Sequence, residues 1–104
     1  MEEIWKKIKG YHPSYEVSNR GRVRTTNYRH TGETHLIGVF NNSVGSVSAT
    51  IKRDDGRYGQ VTVHKLVAIA FKGYDPSRMS RILHLDGDKT NNRPENLHII
   101  YHKK

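Results

Sequence analysis

Apolar and polar residues trade places at every second position in two separate stretches of this chain, and apolar residues recur at helical spacing in one. The first alternation runs from Tyr15 to Thr25 around Asn19-Arg20-Gly21, after the turn-forming Tyr11-His12-Pro13-Ser14. It predicts a hairpin or a bent strand. In the second, Val47, Ala49 and Ile51 alternate with Ser48, Thr50 and Lys52, and beyond Asp54-Asp55-Gly56 the residues Val61 and Val63 share one parity. That pattern is a hairpin. Residues 26–43 are dominated by Asn, Thr, Gly and His, and only Leu36 to Phe40 reads as a short strand.

His64 to Phe71 sets Leu66, Val67, Ala70 and Phe71 on one helical face, and Lys72-Gly73 provides a stop, because Gly turns left-handed past a helix end without a Cβ penalty. Tyr74 to Arg81 is a loop containing Pro76, Ile82 to Leu85 a strand, Asp86 to Glu95 a polar loop and Leu97 to Tyr101 another strand. The predicted class is α+β. With no repeat, low-complexity tract or linker, residues 1–104 read as one domain, β-rich over 1–62 and followed by a helix and two strands over 63–104.

Composition narrows the partner. Apolar residues make up 34% of 104, with one Trp and two Phe, so the core is thin. Lys and Arg number 18 against 10 Asp and Glu, a formal charge of +8, which points to a polyanion. No segment forms the basic amphipathic helix of a membrane-surface binder, so nucleic acid leads. The absence of Cys excludes a disulfide framework and Cys-ligated zinc. Met1-Glu2-Glu3-Ile4-Trp5-Lys6 carries no signal-peptide stretch and no run of about 18 apolar residues exists, so a soluble protein is expected.

If Arg20, Arg22 and Arg24 lie in a strand, period two puts them on one face as a basic stripe. Such a stripe either contacts phosphates or is a solvated strand face. Lys52, Arg53 and Arg57 at the second hairpin turn either extend it or keep an edge hairpin from pairing with a neighbour.

The most informative stretch runs Ile82-Leu83-His84-Leu85-Asp86-Gly87-Asp88-Lys89-Thr90-Asn91-Asn92-Arg93-Pro94-Glu95-Asn96-Leu97: a strand ending in His, an Asp-Gly loop, paired Asn, then Asn-Leu opening a second strand. Singly, Asp-Gly, Asn-Asn and Pro-Glu-Asn are ordinary turn formers. In this order, after this helix, they resemble the HNH motif of the ββα-metal nucleases as found in phage homing endonucleases. Val63-His64-Lys65-Leu66-Val67-Ala68-Ile69-Ala70-Phe71 resembles the helix before that motif. Glu3-Ile4-Trp5-Lys6-Lys7-Ile8-Lys9-Gly10-Tyr11 with Tyr15-Glu16-Val17-Ser18-Asn19-Arg20-Gly21-Arg22-Val23 resembles the family's N-terminal module.

The resemblance implies hydrolysis of double-stranded DNA with one divalent ion, Mg or Mn, and action in the cytoplasm of a bacterial host. His84 is then the general base, since an imidazole is the side chain that accepts a proton most readily near neutrality. Asn96 matches the middle Asn, whose amide braces the loop. Relatives often carry an Asp or Asn metal ligand where Leu83 stands here, and a final helix with the last ligand after the second strand, which this chain lacks. Asp86 and His102 are the substitute ligand candidates. DNA contacts are expected from Arg20, Arg22, Arg24, Lys52, Arg53, Arg57, Lys65, Lys89 and Arg93, with a protein partner to supply specificity. His64 is assigned local hydrogen bonding or packing, His98 faces solvent, and His12, His30 and His35 are assigned nothing. The alternative is a nuclease fold without catalysis that binds DNA or inhibits another nuclease. An RNA-binding domain is the third reading, against which stands the lack of an aromatic platform.

Overall fold

The computed structural model describes residues 2–28, 31–41, 45–77 and 80–101. The first alternation becomes strands β2 (Tyr15–Ser18) and β3 (Val23–Tyr28), joined by the Asn19-Arg20-Gly21 turn and flanked by β1 (Trp5–Lys7) and β4 (Glu33–Ile37) in an antiparallel sheet of order β1-β2-β3-β4. Tyr15, Val17 and Val23 turn inward, as the parity requires. β1 and β4 had no pattern to betray them. Lys6 and Lys7 are exposed, and so are Glu33, Thr34, His35 and Leu36, so backbone pairing rather than a buried face defines these strands.

The second alternation forms β6 (Val47–Lys52) and β7 (Tyr58–Thr62), with β5 (Phe40–Asn41) on the β6 edge. Ala49 lies opposite Val61, and both are buried with Ile51. The strand expected over Leu36 to Phe40 is split, since Gly38 and Val39 separate the end of β4 from β5. The loop after β1 ties the two sheets together: His12 N–H donates to the Lys52 carbonyl at 3.0 Å and Asp54 N–H to the Gly10 carbonyl at 3.2 Å.

β7 runs directly into helix α1 (Val63–Lys72), which ends at Gly73, a left-handed residue at φ 64°. Val63, Leu66, Val67, Ala68 and Ile69 are buried. The buried arc is wider than spacing alone predicted, because α1 packs against β1, β2, β6 and β7 and also against β9 (Leu97–Tyr101) and the 3₁₀ turn Pro94–Asn96. One apolar cluster, from Ile8 and Val17 through Ile51 and Leu66 to Leu97, therefore links the N-terminal strands to the C-terminal pair β8 (Ser80–His84) and β9. The fold is α+β. No helix among the described residues is long and apolar enough to cross a membrane.

Candidate active site

β8 and β9 pair antiparallel with His84 opposite Leu97, and the loop between them is held from inside by one buried amide. Asn96 Oδ1 accepts the Asp86 N–H at 3.1 Å, while its Nδ2 donates to Asp86 Oδ1 and to the Asn91 carbonyl, both at 2.9 Å. Both ends of an amide with complementary capacities are thus used across ten residues of chain. The Asp86 carboxylate also accepts Asn91 Nδ2 at 2.8 Å and the Asp88 N–H at 2.8 Å. Hydrogen bonds from Asn91, Asp88 and Asn96 hold its pKa below the ordinary carboxylate range.

His84 stands at the end of β8, half-buried, with Nε2 at 2.8 Å from Asn92 Oδ1. An amide oxygen can only accept, so Nε2 carries the proton and Nδ1 keeps its lone pair. That is the tautomer a general base needs. Asn92 is itself buried, and Gly21 of the β2–β3 turn lies beside it. Ser18 Oγ accepts the Arg20 and Arg22 N–H groups, each at 3.1 Å, folding the β2–β3 turn so that Gly21 adopts φ +78°. A Cβ added at Gly21 would stand 3.2 Å from Asn92 Cβ. A Gly is required there on both counts.

On the other side of His84 lies His64, in the first turn of α1. The two rings are perpendicular, at 88°, with centroids 5.1 Å apart. His64 Nε2 meets Thr62 Oγ1 at 3.3 Å. Burial pushes the His64 imidazole down to about 4, with His84 and Lys65 nearby adding to the effect, so it is neutral at physiological pH.

Comparison with known proteins shows the family. The NUMOD4 motif family matches residues 3–64 and the HNH endonuclease family residues 61–103. The chain belongs to the HNH homing endonucleases. An uncharacterised HNH endonuclease of Acanthamoeba polyphaga mimivirus is 39% identical over 94% of this chain and 24% of its own length. DNA endonuclease I-HmuI of Bacillus phage SP01 is 34% identical over 95% of this chain and 53% of its own. The solved structure titled "DNA binding and cleavage by the HNH homing endonuclease I-HmuI" superposes with a TM-score of 0.72 at 34% identity, covering 96% of this chain and 52% of that one. The chain thus spans about a quarter and about half of these two relatives.

The described part of this chain does not offer a ready metal site. No group of three or more His, Cys, Asp or Glu among the described residues is placed to hold an ion. Leu83 has no donor atom, His102 lies outside the described residues, and three of the four lone-pair directions of Asp86 are taken by the loop.

The nine expected DNA-contacting cations fall into separate groups. The strand stripe expected from Arg20, Arg22 and Arg24 does not form, since only Arg24 lies in β3 and Arg20 and Arg22 belong to the β2–β3 connection; Arg22 and Arg24 stack on Trp5, with the Arg24 guanidinium 4.1 Å and that of Arg22 5.7 Å from the ring centre. Arg22 pairs with Glu3 and Arg24 with Glu16 at 2.6 Å. The Glu3 carboxyl is held at about 2 by Arg22. Arg20 and Arg93 line a cleft of about 340 Å³ with Glu2, Asn19 and Glu95, beside the Gly21–Asn92 contact. Lys65 follows His64 on α1, and Lys89 is exposed in the His84–Asn96 loop. Lys52, Arg53 and Arg57 sit at the far end of the β6–β7 hairpin, roughly 17–20 Å of strand from the start of α1 at about 3.3 Å per residue.

Asn92 and Lys72 were missed from sequence. Asn92 was read as half of a turn-forming pair; its position eight residues after His84 was the available signal. Lys72 looked like an ordinary helix end, yet its Nζ donates to the Pro94 carbonyl at 3.1 Å and the Leu97 carbonyl at 2.8 Å, fixing the 3₁₀ turn against α1. His64 was assigned local packing, and spacing gave no sign that it meets His84.

Proposed function

We propose that this chain hydrolyses the phosphodiester backbone of double-stranded DNA. The observation that carries the reading is the bond from His84 Nε2–H to Asn92 Oδ1, which leaves Nδ1 as the acceptor at the open end of β8. In this reading, a water gives its proton to His84 Nδ1 as its oxygen attacks phosphorus; the bond to the 3′ oxygen breaks, and that oxygen takes a proton from solvent. Asn96 keeps the loop closed beneath the base and Asn92 keeps its tautomer. The reading includes one divalent ion, Mg or Mn, of the kind HNH nucleases use, but the described residues do not form its site. Water activation by His84 rests on this chain's own residues. The place of action is the cytoplasm of a bacterial host.

A second reading has a specific observation behind it. Leu83 and the engaged Asp86 carboxylate favour a protein that keeps the fold and binds DNA, or inhibits another nuclease, without cutting.

Conversion of supercoiled plasmid to nicked or linear forms, with Mg, Mn or EDTA, separates the two. Metal-dependent nicking lost in His84→Ala is the expected result. No cleavage with any metal, alongside salt-sensitive DNA binding, would establish the second reading. Contact with about six phosphates gives a slope of log affinity against log salt near −5, at roughly 0.9 per phosphate. A flat response would rule out DNA as the ligand.

A further inference from the structure

We propose that His64 is a positioning residue for His84, its ring forming the wall that fixes the plane of the general base while Asn92 fixes its tautomer. The inference rests on the reading of His84 as the base. A single hydrogen bond to Asn92 does not stop the His84 ring from turning about its Cβ–Cγ bond, a swing that carries Nε2 away from Oδ1 and releases the tautomer. A perpendicular ring with its centroid 5.1 Å away blocks that swing and offers the edge-to-face contact that aromatic pairs prefer.

His64 is itself firmly rooted. Val63, Leu66 and Val67 around it on α1 are buried to 0% exposure, so its backbone cannot give way. Thr62 Oγ1 holds Nε2 at 3.3 Å, and the buried Nδ1 has no hydrogen-bond partner among the described residues, so within them the contacts of the ring's polar and π faces are with Thr62 and His84. The same burial keeps the ring uncharged, and a neutral wall does not oppose the proton that His84 must take up.

The test compares the natural chain with His64→Leu and His64→Phe by single-turnover plasmid nicking, DNA affinity and thermal stability, and by the His84 tautomer in long-range proton–nitrogen NMR spectra. Leu removes the planar wall and Phe restores it without the nitrogens. His64→Leu is expected to nick about tenfold more slowly at unchanged DNA affinity, and His64→Phe to recover to within about threefold, the scale of one aromatic contact. In the spectra, His84 should be a single Nε2–H tautomer in the natural chain and His64→Phe, and a mixture in His64→Leu. A His64→Leu protein with natural rate and tautomer overturns the proposal, and so does a His64→Phe protein as slow as His64→Leu. If the natural chain cuts no DNA, the reading of His84 as the base fails, and the spectra still decide whether His64 positions it.

Discussion

Replacing Gly21 by Ala tests whether the β2–β3 turn governs the geometry around His84. Two penalties apply at this position. A residue with a Cβ in the left-handed region, here φ +78°, costs about 1–2 kcal/mol. The new methyl would also stand 3.2 Å from Asn92 Cβ, and crowding of this kind adds about 1–3 kcal/mol. The sum, about 2–5 kcal/mol, corresponds to a melting point lower by roughly 4–8 °C for each kcal/mol in a domain of this size. Gly32 is the internal control, with φ +79° and no described residue within 4 Å of an added Cβ. Gly32→Ala should show only the first penalty, measured by circular dichroism on heating. The excess in Gly21→Ala measures the push on Asn92, and because Asn92 holds His84 it should also slow nicking by about tenfold or more, a small displacement at a reacting group being that costly. Equal losses of stability in the two variants, with equal nicking rates, would refute the coupling.

Other outcomes follow from the same geometry. Asn92→Ala should slow nicking by roughly 10–100-fold while leaving plasmid affinity within a factor of two by gel shift, since it removes the orienting acceptor and no cation. Lys72→Met keeps the aliphatic stem but loses the bonds to the Pro94 and Leu97 carbonyls; a loss of about 1–2 kcal/mol in urea unfolding is expected. Arg93→Ala should lower the salt slope by about 0.9, whereas Arg24→Ala, already committed to Glu16 and Trp5, should reduce stability and leave the slope nearly unchanged. Acid should destabilise the fold in two windows. His64 is depressed from 6.5 to about 4, so the unfolded chain binds the extra proton and stability falls as pH drops from about 6.5 towards 4; His64→Phe should remove this part of the melting-point change. Glu3, depressed from 4.5 to about 2 by Arg22, adds a second loss below pH 4.5, which Glu3→Gln should abolish.

Wherever burial imposes a period, the sequence was legible. Val17 and Val23, Ala49 and Ile51, and Leu66 and Val67 each announced their element, because an inward face must alternate or recur at helical spacing. β1 and β4 stayed hidden because their stability comes from backbone pairing beside β2 and β3, which leaves no mark on side-chain type. His84 and Asn96 were legible as members of an ordered motif, and Asn96 bridges its loop as that motif implied. Asn92, Gly21 and His64 were not, since their roles depend on contacts between the two halves of the chain that no local pattern encodes. Arg22 and Arg24 illustrate the opposite error: regular spacing placed them on one face, but said nothing of Glu3 and Glu16 waiting there.

The two matching families meet within residues 61–64, where β7 passes into α1 without a linker and Val63 is fully buried. Recombination at that junction would look neat on paper, yet each parent would carry its own turn over Asn92 and its own packing for the shared helix. A viable chimaera must inherit Gly21 and Asn92 as a matched pair. The joint is a seam for inheritance and not for folding, so exchange of N-terminal modules within the family should leave a correlated footprint at these two positions, visible as paired substitution rather than independent drift.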